Sequence, residues 1–144
     1  MSAAYDIAVL LQAAGLGAVG ADVGVNAFMD NSDNETGVFE FSGLPDIVTH
    51  GGTTAFETPK IQIQVRNTSN KESFRRCYQI YRFLSGMRDR TINGHLYTYI
   101  QPSVFPHLLN RDPITNRVIH MAEFQTQRTP EAEVVIPVVG SVLP

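Results

Sequence analysis

The sequence is short of several features that would point to particular classes of protein. It holds one cysteine, Cys77, among 144 residues, which excludes an internal disulfide and a zinc site built on several thiolates. No stretch approaches the roughly 20 uncharged apolar residues that cross a bilayer. The N-terminus lacks the basic start and small-residue cleavage site of a signal peptide. We therefore expect a cytosolic protein with no membrane partner, unless an assembly carries it elsewhere.

Positive charge is missing from the first part of the chain. Residues 1–59 contain no Lys or Arg and eight acids, whereas residues 60–90 hold eight basic residues against two acids, a net of +6. These acidic and basic surfaces either meet each other within one domain or belong to contacts between neighbouring subunits. In the second case the contact is head-to-tail, and such contacts generate rings or filaments.

Hydrophobic residues make up 43% of the sequence and charged residues 17%, which is typical of a globular chain. The length suits a single domain over residues 1–144. We expect an α/β (α+β) fold: a mixed or antiparallel sheet of about five strands, two main flanking helices and a protruding β-hairpin.

The first half of the chain predicts a helix followed by a hairpin. Apolar residues at helical spacing predict an N-terminal helix over 1–15 that Gly15 ends. Strands at 23–29 and 36–42 would form a hairpin over 23–42 with a polar tip at 30–36. The turn-rich segment 42–52 predicts a loop.

The second half predicts the sheet and a central helix over 60–127. The alternation in "KIQIQVR", 60–66, predicts a half-buried strand with Ile61, Ile63 and Val65 on one face. Ser69 and Glu72 form a capping-box pattern at the start of a helix that Gly86 ends. Strands at 94–101 and 117–127 flank a loop, and 130–144 is an apolar tail. The predicted core stripe of the helix consists of Phe74, Cys77, Tyr78, Tyr81 and Leu84.

The stretch "GLGAVG", 15–20, has the glycine spacing of a dinucleotide-binding fingerprint. That fingerprint must follow a strand and open a helix, so that the helix N-terminus meets the pyrophosphate. Here the preceding residues favour a helix and the following ones a strand. We interpret the stretch as a helix end leading into a flexible connection, and we expect no cofactor.

Other chemical constellations are weak, and we assign no catalytic residue and no metal ligand. The four histidines, His50, His95, His107 and His120, are scattered, and Cys77 lies on the apolar stripe, where a thiol is buried and inert. Asp30 and Asp33 suit turn chemistry. The arginines near Tyr78 and Tyr81 do not make a free-standing DNA-binding protein, because the whole chain is acidic and DNA affinity rests on basic charge.

Residues 41–86, "FSGLPDIVTHGGTTAFETPKIQIQVRNTSNKESFRRCYQIYRFLSG", resemble the tail-terminator and minor capsid proteins of long-tailed bacteriophages. That family places an N-terminal helix before a hairpin, then a loop, a strand and an amphipathic helix ending in L-x-G. The matching positions are Pro45, Asp46, Gly51, Gly52, Pro59, Gln62, Val65, Arg66, Leu84 and Gly86. The similarity spans nearly the whole chain.

The resemblance implies a structural virion protein rather than an enzyme. Such proteins form a six-membered ring on the finished end of the tail tube, stop its polymerisation and present a surface to head-completion proteins. The implied partners are copies of itself, the tail tube protein and a neck protein, with DNA only as passing cargo in the lumen. Assembly would take place in the host cytoplasm. Combined with the charge asymmetry, this suggests a subunit interface between basic Arg75, Arg76 and Arg82 and acidic Asp30, Asp33 and Glu35.

Two alternatives remain open at this point. Within the same machine, the chain would be a head-to-tail adaptor at the neck. In another class altogether, it would be a small nucleotide-binding domain built around "GLGAVG".

Overall fold

The computed structural model describes residues 2–48 and 54–130. It contains two helices and six strands: α1 Ala3–Ala13, β1 Val23–Val25, β2 Glu35–Val48, β3 Thr54–Asn67, α2 Asn70–Leu84, β4 Met87–Ile92, β5 His95–Asp112 and β6 Arg117–Arg128. The strands form one mixed sheet in the order β1-β2-β3-β6-β5-β4. The expected single α+β domain is confirmed, and β4 is a strand that the sequence analysis did not identify.

Both helices cover the same face of this sheet. Ile61, Ile63 and Val65 of β3 are buried beneath them, as their alternation predicted. Val38 of β2 lies directly opposite Ile63 and belongs to the same core cluster. The other face has no helix among the described residues. It carries amide-rich side chains, of which Gln62 bonds to Glu123 and Gln64 bonds to Gln62.

α1 ends just before Gly15, as the sequence predicts. Ser2 caps its start by accepting from Tyr5 N–H at 3.1 Å, and Glu40 of β2 accepts from the N–H groups of Ala3 and Ala4. Gly15 has φ +77°, a left-handed conformation that favours glycine just past a helix end. α1 is therefore fixed to β2 through its N-terminal turn.

The predicted 23–42 hairpin is wrong. β1 pairs with β2 in parallel, with Val23 opposite Thr36 and Val25 opposite Val38. Parallel pairing requires the chain to cross back before β2 begins, and residues 26–34 make that crossover with left-handed turns at Asn26 and Asp30. The turn residues predict one tight tip, but residues 26–34 form a longer segment, which we call the strap.

The loops expected at 42–52 and 102–116 are also largely strand. β2 continues to Val48 and β5 to Asp112, each through register shifts that absorb irregular residues. Prolines are tolerated in β5 because it is an edge strand beyond Ile100, where β4 stops pairing with it. Residues 49–53, with His50 and the Gly51–Gly52 pair, lie outside the described residues, as does the tail from residue 131.

The core stripe of α2 differs from the predicted one. Its buried residues are Ser73, Cys77, Ile80 and Leu84, spaced i, i+4, i+7 and i+11. The stripe was misplaced because Ser73 is polar, yet its hydroxyl donates to Val65 O at 2.9 Å and is thereby satisfied in the core. Phe74, Tyr78 and Tyr81 consequently lie at the border of the core, and Phe74 is 37% exposed.

No helix in the described residues is long and apolar enough to cross a membrane.

Candidate functional site

α2 carries the predicted basic residues on its exposed side. The helix begins after Ser69, whose Oγ accepts from Glu72 N–H at 3.2 Å. The capping box is half formed, because Ser69 N–H donates to Asn67 Oδ1 and the Glu72 carboxylate turns to Arg75 instead. The hydrogen bonds from Arg75 lower the pKa of Glu72.

The three predicted interface arginines are all exposed, and each is anchored differently. The Arg75 side chain is 68% exposed and lies 3.1 Å from Glu72. Arg76 donates to the carbonyl of Leu16 at 3.2 Å, which fastens α2 to the glycine-rich stretch after α1. Arg82 donates to Tyr78 Oη and lies 5.9 Å from the centre of that ring. Together they form a basic surface on one side of α2.

The predicted acidic partners are engaged within the chain. Asp30 pairs with Arg66 at 2.9 Å, and Asp33 pairs with Arg117 at 2.9 Å. Both acids remain largely exposed, with 72% and 56% of their side chains accessible. The Glu35 side chain is 0% exposed and lies 3.4 Å from Arg66. Glu35 is therefore inaccessible to a neighbouring subunit in this structure.

Glu35 organises the strap that precedes β2. Its carboxylate accepts from the backbone N–H groups of Asp30, Asn31 and Ser32. Burial acts to raise the pKa of Glu35, but these three donors and the nearby Arg66 outweigh it and lower the pKa. The charged carboxylate therefore holds the strap in place.

Arg66 is the other half of this arrangement. Alternation along β3 predicted an outward side chain, yet Arg66 is buried. Its guanidinium lies 4.6 Å from the centre of the Phe28 ring and also donates to Ser32 O at 2.9 Å. Its Nε has no hydrogen-bond partner in the described part of the chain.

A groove of about 260 Å³ lies between the strap, the end of β3 and the first turns of α2. Three arginines and three acids line it, so its charge is balanced: Arg66, Arg75, Arg76, Asp22, Glu35 and Glu72. Such a groove favours paired polar contacts over the binding of a free anion.

The "GLGAVG" stretch follows a helix and precedes a strand, the reverse of the order that a dinucleotide fingerprint needs. Its backbone donors are used internally. Ala18 N–H donates to the Asp22 carboxylate at 2.6 Å, and Val19 N–H donates to Gln12 Oε1 at 2.7 Å. A carboxylate within the turn repels a pyrophosphate, so this geometry opposes the nucleotide-binding alternative.

The remaining chemical candidates that the structure describes make contacts within the chain. No group of three His, Cys, Asp or Glu side chains able to hold a metal ion occurs within 2–48 and 54–130. Cys77 is fully buried, and burial raises its pKa to about 12. His120 Nδ1 lies 2.8 Å from Ser73 Oγ and donates to it, because the Ser73 hydroxyl already donates to Val65. Burial lowers the pKa of His120, and His107 adds to this effect.

A buried ionic cluster beneath α1 has no signal in the sequence. The Asp6 side chain is 0% exposed and accepts from Tyr97 Oη at 2.7 Å, Arg128 at 2.9 Å and Asn93 at 3.0 Å. Arg128 also pairs with Glu57 at 2.9 Å. Because residues far apart in sequence supply these groups, no local pattern marks the cluster. Arg128 lies between the carboxylates of Asp6 and Glu57, and the cluster joins α1 to the adjacent strands β3, β6 and β5.

The profile of a known family matches residues 10–130, described as bacteriophage tail terminator protein. The chain belongs to this family. The match begins inside α1 and includes all six strands and α2. A search among curated proteins found no match.

Membership of the tail terminator family makes this chain a structural component of the phage tail and of the virion. The family match confirms the resemblance drawn from residues 41–86. The basic surface on α2 lies inside the matched region, and residues 131–144 lie beyond it.

Proposed function

We propose that this protein forms a six-membered ring that caps the head-proximal end of the tail tube, ends tube polymerisation and provides the surface for head joining. The observation that carries the proposal is the tail terminator match over 10–130. The exposed arginines of α2 support it, since they offer a charged surface that the core does not use.

The ring contact that we propose is head-to-tail. One subunit supplies Arg75, Arg76 and Arg82, and its neighbour supplies the exposed carboxylates of Asp30 and Asp33. Each of these acids already has one arginine partner, and a carboxylate has enough acceptor positions for a second donor. Glu35 takes no direct part and acts by holding the strap that carries Asp30 and Asp33.

The helix-free face of the sheet suits the lumen of such a ring. Gln62 and Gln64 are half-buried there, and the nearby Lys60 and Glu123 offset each other. Because DNA affinity depends on phosphate neutralisation by basic charge, a nearly neutral amide surface lets DNA pass without holding it.

The experiment is to add purified protein to polymerising tail tube protein from the same phage and to image the tubes by electron microscopy. We expect tubes of limited length with gold-labelled protein at one end only. Unlimited tubes with no end label would contradict the proposal. The neck-adaptor alternative predicts label on DNA-filled heads that carry no tube, so the same label separates the two functions.

A further inference from the structure

An apolar patch on the outer side of α2 and β5 has no partner among the described residues that covers it. Phe105 is 57% exposed, Leu108 is 50% exposed and Phe74 is 37% exposed. Large exposed apolar side chains in one cluster mark contact sites more often than isolated ones do. We define the patch by Phe74, Tyr78, Tyr81, Phe105 and Leu108.

Ring contacts join this patch into one surface. Phe105 lies 6.1 Å from Tyr78 and 5.3 Å from Tyr81, and Phe74 lies 6.0 Å from Tyr78, measured between ring centres. Leu108 is paired with His120 across the strands, and His120 lies 5.6 Å from Phe74. Residues directly opposite on neighbouring strands share a face, so Leu108 extends the patch along β5.

The patch adjoins an open strand edge. β4 pairs with β5 only up to Ile100, so the outer edge of β5 from 101 to 112 has no strand beside it in the described residues. Pro102 and Pro106 have no backbone N–H to offer a further strand, whereas 107–112 contain no proline. An extended segment can pair there while its side chains meet Leu108.

The chain itself contains an apolar segment whose side chains suit this apolar patch. Residues 131–144, "EAEVVIPVVGSVLP", hold seven large aliphatic residues, two acids and no Lys or Arg. Their β-branched residues favour extended pairing. Arg82 borders the patch at Tyr78, so it can pair with the acids that precede the valines.

The point where this segment leaves the sheet limits whether it can reach the patch of its own chain. Thr129 is held at Leu96, at the beginning of β5, by two hydrogen bonds of 3.0 Å. Phe105 lies nine residues further along that strand, about 30 Å away at the usual rise. A tail that turned back on its own chain would need about nine extended residues to cover this distance. Leu108 lies twelve residues along β5 from Leu96, about 40 Å away, whereas Val135 lies six residues beyond Thr129 and reaches about 20 Å. Val135 therefore falls short of Leu108 in its own chain.

We infer that the C-terminal segment of one copy docks on the patch of a neighbouring copy, with 134–139 over Phe105 and Leu108. This inference rests on the self-association in the proposed function and adds a second contact to it. It gives the tail a role that the charged contact does not supply, because apolar burial persists at salt concentrations that screen charges.

Disulfide crosslinking of two tagged full-length populations tests the inference. One population carries Leu108→Cys and the other carries Val135→Cys. The native Cys77 is buried and leaves the introduced thiols as the accessible ones. We expect a mixed disulfide containing both tags, at least five-fold more abundant than in a matched control with Ile114→Cys, whose residue is 92% exposed on the turn beyond the patch.

Equal yields for Leu108→Cys and Ile114→Cys would overturn the inference. So would a disulfide that forms only within one chain when both substitutions are placed together. A full-length variant with Val135→Ser and Ile136→Ser supplies a second measurement, and we expect its native mass to shift toward the 15.9 kDa monomer. If the protein caps tubes but no crosslink forms, this inference is wrong and the proposed function stands. If the crosslink forms but the protein does not cap tubes, the proposed function is wrong and the contact between copies stands.

Discussion

At the scale of single residues, some charged side chains are buried although the sequence pattern predicts that they face solvent. Arg66 alternates with Lys60, Gln62 and Gln64 and was expected to face solvent with them. It is buried because the strap places Phe28, Asp30 and Glu35 against it. The strap is held by one carboxylate with three backbone donors, so its order depends on the protonation of Glu35.

The first prediction concerns this carboxylate. The pKa of Glu35 is lowered below 4.5 in the fold, so the unfolded chain binds its proton more readily. Its stabilising contribution is therefore complete above pH 4.5 and is lost as the pH falls through the folded pKa. We expect Glu35→Gln to lower the free energy of unfolding at pH 7 by about 1.5–3 kcal/mol, the range for hydrogen bonds to charged groups, and to flatten its decline in acid.

Urea unfolding from pH 7 to pH 3 measures this effect. Glu72→Gln is the matched control, because the pKa of Glu72 is also lowered but its carboxylate is exposed beside Arg75. The control should flatten the decline in acid much less than Glu35→Gln does, because solvent screens the exposed pair of Glu72 and Arg75. An unchanged acid profile in Glu35→Gln would show that the strap does not depend on the charge.

At the scale of elements, the sequence predicts the features that depend on interactions between residues close together in the chain. α1 with its glycine stop, β3 with its alternation and the Ser69 start of α2 were all predictable, since capping and burial act within a few residues. The parallel β1–β2 pair was not, because its direction depends on a crossover fixed by Arg66, far along the chain. The strand in β5 was hidden by its prolines, which only an edge position explains.

The same reasoning explains why most of the candidate site was only partly predictable. The arginines of α2 were identified from composition and helical position, and the structure places them on an exposed side. The intrachain partners of Asp30 and Asp33 were not predictable, because Arg66 and Arg117 reach them through the tertiary fold. Ionic pairs between distant elements leave no periodic trace in sequence.

The second prediction addresses the attachment of α1. Asp6→Ala removes the acceptor shared by Tyr97, Arg128 and Asn93, and takes this acceptor away from the buried Tyr97 hydroxyl. Removing one partner of a buried ion pair costs about 3–5 kcal/mol. We expect a loss of that size in urea unfolding, together with faster hydrogen exchange in α1 than in α2. Gln12→Ala, on the exposed end of the same helix, should cost less than about 1 kcal/mol, and comparable losses in both variants would contradict the role of the cluster.

At the scale of the whole molecule, our proposals use three surfaces of the described residues. The basic side of α2, the apolar patch and the amide-rich face of the sheet lie on different parts of one compact unit. Some acids of the N-terminal part form ion pairs within the chain. The arginines in these pairs are Arg66, Arg117 and Arg128. The basic residues of α2 that remain exposed are the ones that our proposed ring contact uses.

The last prediction tests that remaining portion. Arg75→Glu with Arg76→Glu reverses the charge of the α2 surface and leaves its buried residues Cys77, Ile80 and Leu84 unchanged. The monomer should lose less than about 1 kcal/mol, because exposed ion pairs and surface hydrogen bonds contribute little. Across an interface, however, like charges facing each other cost several kcal/mol. We therefore expect assembly to fail when this variant is the phage's only source of the protein, with tubes of uncontrolled length or tails that do not join heads.

Arg88→Glu with Arg90→Glu changes the net charge equally on the exposed strand β4, and it should leave tail length normal. Electron micrographs with normal tails in both variants would exclude the charged contact, and abnormal tails in both would show that total charge, not the surface of α2, governs assembly.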